Sequence, residues 1–117
     1  GLHRLARQIP MKHAMKIALT GKLFDAQTAL EYGLINQIVE KKNFVRECQC
    51  MLDTLLECAP LSLRASKEMI HKGLSASSME EAFKLNYPEH ATMLSSYDTR
   101  EGSKAFLEKR TPLWRGR

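Results

Sequence analysis

Apolar residues recur at steps of three and four along most of this chain, the pattern of a succession of helices with one buried face each. Leu2, Leu5, Ala6 and Ile9 mark a first short one. Pro10 interrupts it, because proline lacks an N–H and pushes the preceding residue out of the α region. Met11, Ala14, Met15, Ala18 and Leu19 then form the stripe of a second helix, with Lys12, His13 and Lys16 on its other side. Phe44, Cys48, Met51, Leu52, Leu55 and Leu56 make a broader stripe, expected of a helix packed against others, and Pro60 ends or kinks it. A helix over 61–74 follows, with Ala65, Met69 and Ile70 inward, Arg64, Lys67, Glu68, His71 and Lys72 largely outward, and Gly73 as its stop. Ser78-x-x-Glu81 reads as a capping box opening a further helix, whose apolar face is Met79, Ala82, Phe83, Tyr87, Ala91, Leu94 and Tyr97 and which Pro88 should kink. Asp98-x-x-Glu101 has the same reciprocal spacing and opens a final helix over about 99–110, where Lys109 and Arg110 would complement the negative end of the dipole. Residues 111–117 read as a short tail.

The strongest punctuation lies between the second and third of these helices. Gly21 suits the left-handed position just past a helix end, and Asp25 can cap a very short helix with Ala26, Ala29 and Leu30 on its apolar face. Gly33 ends that helix in turn. Leu34-Ile35-Asn36-Gln37-Ile38-Val39 is the one β-branched-rich run, so the expected fold is mainly α with one short strand over 34–39. A lone strand has to pair, and the chain offers it no evident partner. That alone suggests a fold of which part lies outside this sequence.

Composition narrows the class without changing this picture. A chain of 117 residues, 44% hydrophobic and 26% charged, is of ordinary single-domain size and balance. It has neither an apolar run long enough to cross a bilayer nor a secretory pattern at its start, so no membrane partner is expected. Cys48, Cys50 and Cys58 read as reduced, buried or half-buried small side chains. At about 100° per residue Cys48 and Cys50 point some 200° apart and Cys58 aligns with neither, which excludes a shared metal. His3 and His13 have no acidic or cysteine partner at ligand spacing, so no metal site is assigned.

Two separated motifs carry a family resemblance. Leu19-Thr20-Gly21, Asp25-Ala26, Ala29, Gly33-Leu34-Ile35-Asn36 and Ile38-Val39 resemble the crotonase, or enoyl-CoA hydratase/isomerase, family. The ending Asp98-x-x-Glu101-Gly102-x-x-Ala105-Phe106-x-Glu108-Lys109-Arg110-x-Pro112-x-Trp114-x-Gly116-Arg117 resembles the close of many bacterial members, and also that of carnitinyl-CoA dehydratases. Arg4-Leu5-x-Arg7-Gln8-Ile9-Pro10 and Pro60-Leu61-Ser62-x-Arg64-Ala65-Ser66-Lys67 fit as well. The resemblance implies the C-terminal helical part of the crotonase α/β spiral fold. Residues 1–40 would end the core and 41–117 would form a helical oligomerisation region, in a trimer or dimer of trimers. It implies an acyl-CoA substrate, coenzyme A entering only as part of it, and no separate cofactor. The implied compartment is the cytoplasm, or the mitochondrial matrix in a eukaryote. The family's catalytic amides and glutamates correspond to no residue here, so no catalytic residue is assigned and this chain alone is expected to be inactive. What transfers is Phe106 and Lys109, which would meet the nucleotide end of CoA bound in a neighbouring subunit, Phe106 near adenine or pantetheine and Lys109 at a phosphate. The plainer alternatives are core packing for Phe106 and a solvated charge for Lys109.

Two other classes stand beside the enzyme. A net charge of +5 permits nucleic-acid binding, and Ala29, Gly33 and Val39 have helix-turn-helix spacing. The recognition helix would then be Gln37-Ile38-Val39-Glu40-Lys41-Lys42, which lacks base-reading residues, so no nucleic-acid partner is expected. A helical self-association module without chemistry is the third class.

Overall fold

Proline and glycine divide the chain where their backbones demand it. The computed structural model describes residues 1–117 and contains eight α-helices, one 3₁₀ turn at Lys41–Asn43 and no strand. The helices are α1 (Leu2–Gln8), α2 (Met11–Thr20), α3 (Ala26–Glu31), α4 (Phe44–Leu56), α5 (Pro60–Gly73), α6 (Met79–Lys84), α7 (Pro88–Ser95) and α8 (Tyr97–Glu108). They fall into two compact units, Gly1–Cys48 and Gln49–Arg117.

In the first unit, Ile9 is extended (φ −129°, ψ 161°), as a residue before proline prefers, and it separates α1 from α2. Gly21 (φ 58°) closes α2 with its N–H on the Ile17 carbonyl. Asp25 caps α3 by accepting the Thr28 N–H at 2.8 Å. At the other end Gly33 (φ 74°) takes the left-handed corner of a Schellman motif, with Gly33 N–H on Leu30 O and Leu34 N–H on Ala29 O, both at 2.9 Å. Ile9, Ala14 and Ala29 are buried. The basic side of α2 is partly engaged: the His13 ring stacks on Tyr32 at 3.9 Å, and Lys16 Nζ donates to the Tyr32 hydroxyl at 3.0 Å.

The strand expected over 34–39 does not form; this segment is bend and irregular backbone. A strand exists only as one side of a ladder, and no second strand is present to supply it. With residues 37–40 non-helical and only a 3₁₀ turn after them, the recognition helix of the nucleic-acid reading is absent too.

α4 forms where its periodicity places it, yet none of its residues is buried, and Leu56 is 76% exposed. Its stripe is therefore not part of the buried core. Cys48, Cys50 and Cys58 are exposed as well, contrary to the buried reading, because they share that helix or follow it directly.

In the second unit two of the three prolines start helices. Pro60 and Pro88 occupy the first turns of α5 and α7, where a missing N–H costs no hydrogen bond. Pro88 thus separates α6 from α7 and kinks nothing. α5 packs along α7, and its covered residues Leu61, Ala65 and Glu68 lie on one face at steps of four and three. Met69 and Ile70, expected inward, are exposed, whereas the Glu68 carboxylate is largely covered and accepts the Glu89 N–H at 2.9 Å. At the start of α6, Ser78 Oγ accepts the Glu81 N–H at 3.1 Å. The Glu81 carboxylate returns to the N–H and hydroxyl of Ser77, one residue earlier than a capping box requires.

Candidate functional site

The final helix begins earlier than its acidic residues suggest. Ser96 is the N-cap: its Oγ accepts the Thr99 N–H at 3.2 Å and donates to the Met93 carbonyl at 2.6 Å. With the cap supplied by Ser96, Asp98 and Glu101 fall inside α8 and are released from capping. They lie three residues apart on one face, 2% and 5% exposed.

Both carboxylates bind the segment that follows α8. The two Asp98 oxygens each accept one N–H, from Arg115 and Gly116, both at 2.8 Å. Glu101 takes a two-pronged ion pair from Arg110, at 2.6 Å from Nη1 and 3.0 Å from Nη2, and accepts the Leu113 N–H at 2.8 Å. Tyr97 N–H, left over at the helix start, donates to the Arg117 carbonyl at 2.7 Å. The Trp114 indole N–H donates to the Glu57 carbonyl at 2.8 Å. Its ring lies over Gly102, where a Cβ would stand 3.3 Å from a ring carbon. Residues 110–117 therefore form a strap tied along α8. The short tail is thus bound along its length, and the capping box expected at Asp98 and Glu101 does not form.

The strap fixes an exposed corner. α8 stops at Glu108, and Lys109 adopts the left-handed conformation (φ 52°, ψ 41°) at its end. Arg110 N–H reaches the Ala105 carbonyl at 3.0 Å and Lys109 N–H the Phe106 carbonyl at 3.2 Å, a Schellman closure with lysine where glycine is usual. Lys109 and Arg110 thus follow the last turn instead of lying within it, and Arg110 turns back to Glu101 and to Glu108 Oε2 at 2.6 Å. Phe106 is 84% exposed, so its ring is not part of this chain's own core. Lys109 is exposed beside it and makes no ion pair.

The Arg110 guanidinium, and after it the Leu113 N–H, holds the Glu101 carboxyl at about 2, against an ordinary 4.5. A carboxyl acidified by folding stabilises fully above its unfolded value and loses that contribution as pH falls through its folded one. Between pH 4.5 and about 2, Glu101→Gln should therefore flatten part of the acid-induced fall in melting temperature seen for wild type, Asp25, Glu68 and Glu81 supplying the remainder. Parallel acid branches in thermal melts of the two proteins would exclude Glu101 from that role.

Elsewhere an open apolar groove of about 990 Å³ lies between α5, α6 and α7, lined by Ile70, Met79, Phe83, Leu85 and Ala91 among others. No group of three or more His, Cys, Asp or Glu side chains is placed to hold a metal ion. No helix is long and apolar enough to cross a membrane.

The strap and corner are formed by the same terminal motif that carries the sequence resemblance, and the match to known proteins extends over the whole chain. Residues 1–117 match the family described as enoyl-CoA hydratase/isomerase. The chain belongs to that family. Relatives include carnitinyl-CoA dehydratases of Proteus mirabilis and Citrobacter koseri, 35% and 32% identical over the full chain and 46% of their own lengths. The crystal structure of an enoyl-CoA hydratase/isomerase from Mycobacterium paratuberculosis superposes with a TM-score of 0.88 at 35% identity, over 99% of this chain and 46% of that one. The chain thus spans about half the length of the family members it matches, and corresponds to their C-terminal portion. The helical architecture is that portion of the crotonase fold.

Of the two residues named from sequence, both lie at one corner of this crotonase portion, adjacent and exposed. In sequence, Asp98, Glu101 and Arg110, which build that corner, have the spacing of cap and dipole partners. The available signal was Ser96, a better cap than Asp98 for a helix whose apolar face starts at Tyr97.

Proposed function

We propose that this chain is the C-terminal part of an enzyme acting on acyl-CoA thioesters, with hydration of 2-enoyl-CoA as its reaction. The observation that carries this is the family match along all 117 residues, joined to a terminal corner that presents an aromatic face and a cation side by side. Phe106 and Lys109 would meet the nucleotide end of CoA bound in a neighbouring subunit of a trimer or dimer of trimers. An aromatic ring stacks on adenine or covers the pantetheine arm, and an unpaired ammonium suits a phosphate. A net charge of +5 favours a polyanionic ligand. Dehydration of a hydroxyacyl-CoA is the second reading, favoured by the relatives named carnitinyl-CoA dehydratase.

The test is turnover of crotonyl-CoA by the full-length protein, followed as loss of the conjugated thioester. Lys109→Ala should raise KM about fivefold with kcat nearly unchanged, the size of one exposed charge contact. A wild-type protein that neither hydrates crotonyl-CoA nor dehydrates a hydroxyacyl-CoA would overturn the reading.

A further inference from the structure

Lys109 is the one residue other than glycine with a positive φ; Gly21, Gly33 and Gly116 take the other left-handed positions. The left-handed state disfavours a side chain with a Cβ, so glycine is the ordinary occupant of such a corner. A lysine kept there is held by its surroundings. The surroundings are specific. Arg110, the next residue, is fixed on one side by the Glu101 carboxylate at 2.6 and 3.0 Å and on the other by Glu108 at 2.6 Å. Leu113 N–H, on the same Glu101 carboxylate, prevents the strap from swinging away. The neighbouring cations Lys104 and Arg110 both have acidic partners, whereas Lys109 has none.

We infer that Glu101 and Arg110 are a positioning pair, which pins the backbone just past α8 so that Lys109 is held in its left-handed corner and presents its ammonium outward to a phosphate group. This deepens the proposed function and rests on the reading of Lys109 as a CoA contact. The pair touches no substrate; it acts through Lys109. Arginine is required at 110 because only its planar fork engages both carboxylate oxygens while its Nε reaches Glu108.

The test compares crotonyl-CoA with crotonyl-pantetheine, which keeps the thioester and lacks the nucleotide phosphates, using full-length Arg110→Lys, Glu101→Gln and Lys109→Ala proteins. Arg110→Lys should raise KM for crotonyl-CoA about fivefold, leave kcat unchanged and leave crotonyl-pantetheine kinetics unmoved. Combined with Lys109→Ala it should add nothing further, and Lys109→Arg alone should retain near wild-type KM. If Glu101→Gln does not fold, Arg110→Lys carries the test by itself. Equal losses on both substrates, or an unchanged KM for crotonyl-CoA while Lys109→Ala raises it, would overturn the positioning role. If Lys109→Ala itself leaves KM unchanged, the CoA contact fails, and the positioning role fails with it.

Discussion

Replacing Leu61 by alanine is expected to destabilise the second unit by about 2–5 kcal/mol, the range for truncating a buried leucine. The interior of this chain is mostly alanine: Ala14, Ala29, Ala59, Ala65 and Ala105 are buried, and only Ile9 and Leu61 bring a larger apolar side chain inside. Leu61, 4% exposed, is therefore the one large apolar residue buried between Gln49 and Arg117. It stands in the first turn of α5, on the face shared with Ala65 and Glu68. Neighbours that are short and fixed on helices cannot collapse into the space it leaves, so the cost falls in the cavity-forming range. The measurement is the urea midpoint of the full-length variant, with hydrogen exchange along α5 and α7 to place the loss. Phe106→Ala is the control, since removing an exposed ring leaves no cavity. Equal, small shifts for both variants would mean that Leu61 is not a core residue.

Asp98→Ala is the second large effect, at about 2–4 kcal/mol. Each carboxylate oxygen accepts one backbone N–H, and hydrogen bonds to a charged acceptor contribute about 1.5–3 kcal/mol. The two bonds are not independent, so the sum falls below twice that value. The damage should concentrate in the strap. Arg115 and Gly116 amides should exchange faster, and trypsin should cut after Arg110 and Arg115 under conditions that spare the wild type. Asp98→Asn keeps an acceptor for only one of the two N–H groups and should fall between. Unchanged trypsin resistance in Asp98→Ala would show that Trp114 and the Glu101 contacts hold the strap without it.

The two predictions separate kinds of information. Leu61 was legible as part of a helix after Pro60, but which face of that helix is buried was not. Periodicity marks a stripe through Ala65, Met69 and Ile70, and packing against α7 instead selected Leu61, Ala65 and Glu68. A charged residue within a buried face is invisible to a hydrophobic pattern, because its burial depends on the Glu89 N–H and Lys72 that reach it from across the contact or the next turn. Asp98 and Glu101 escape the pattern for the same reason. Their spacing fits a capping box, and only the returning strap distinguishes a cap from a tie.

What the sequence by itself determined is local: where helices start and stop. Gly21, Asp25, Gly33, Pro60 and Ser78 act through their own φ angles or through bonds to residues two to five positions away, so their meaning travels with the chain. The family resemblance was legible for a related reason, since its motifs are these same local residues together with the Phe106 to Arg110 run. Whatever needs a partner far along the chain was decided by tertiary structure alone. The strand over 34–39 did not form, because a ladder requires a second strand. The α4 stripe and its cysteines stayed exposed, because burial needs a facing surface that periodicity alone does not supply. Arg110, which follows the corner at Lys109, is held by Glu101 nine residues earlier and could not be assigned to it from spacing.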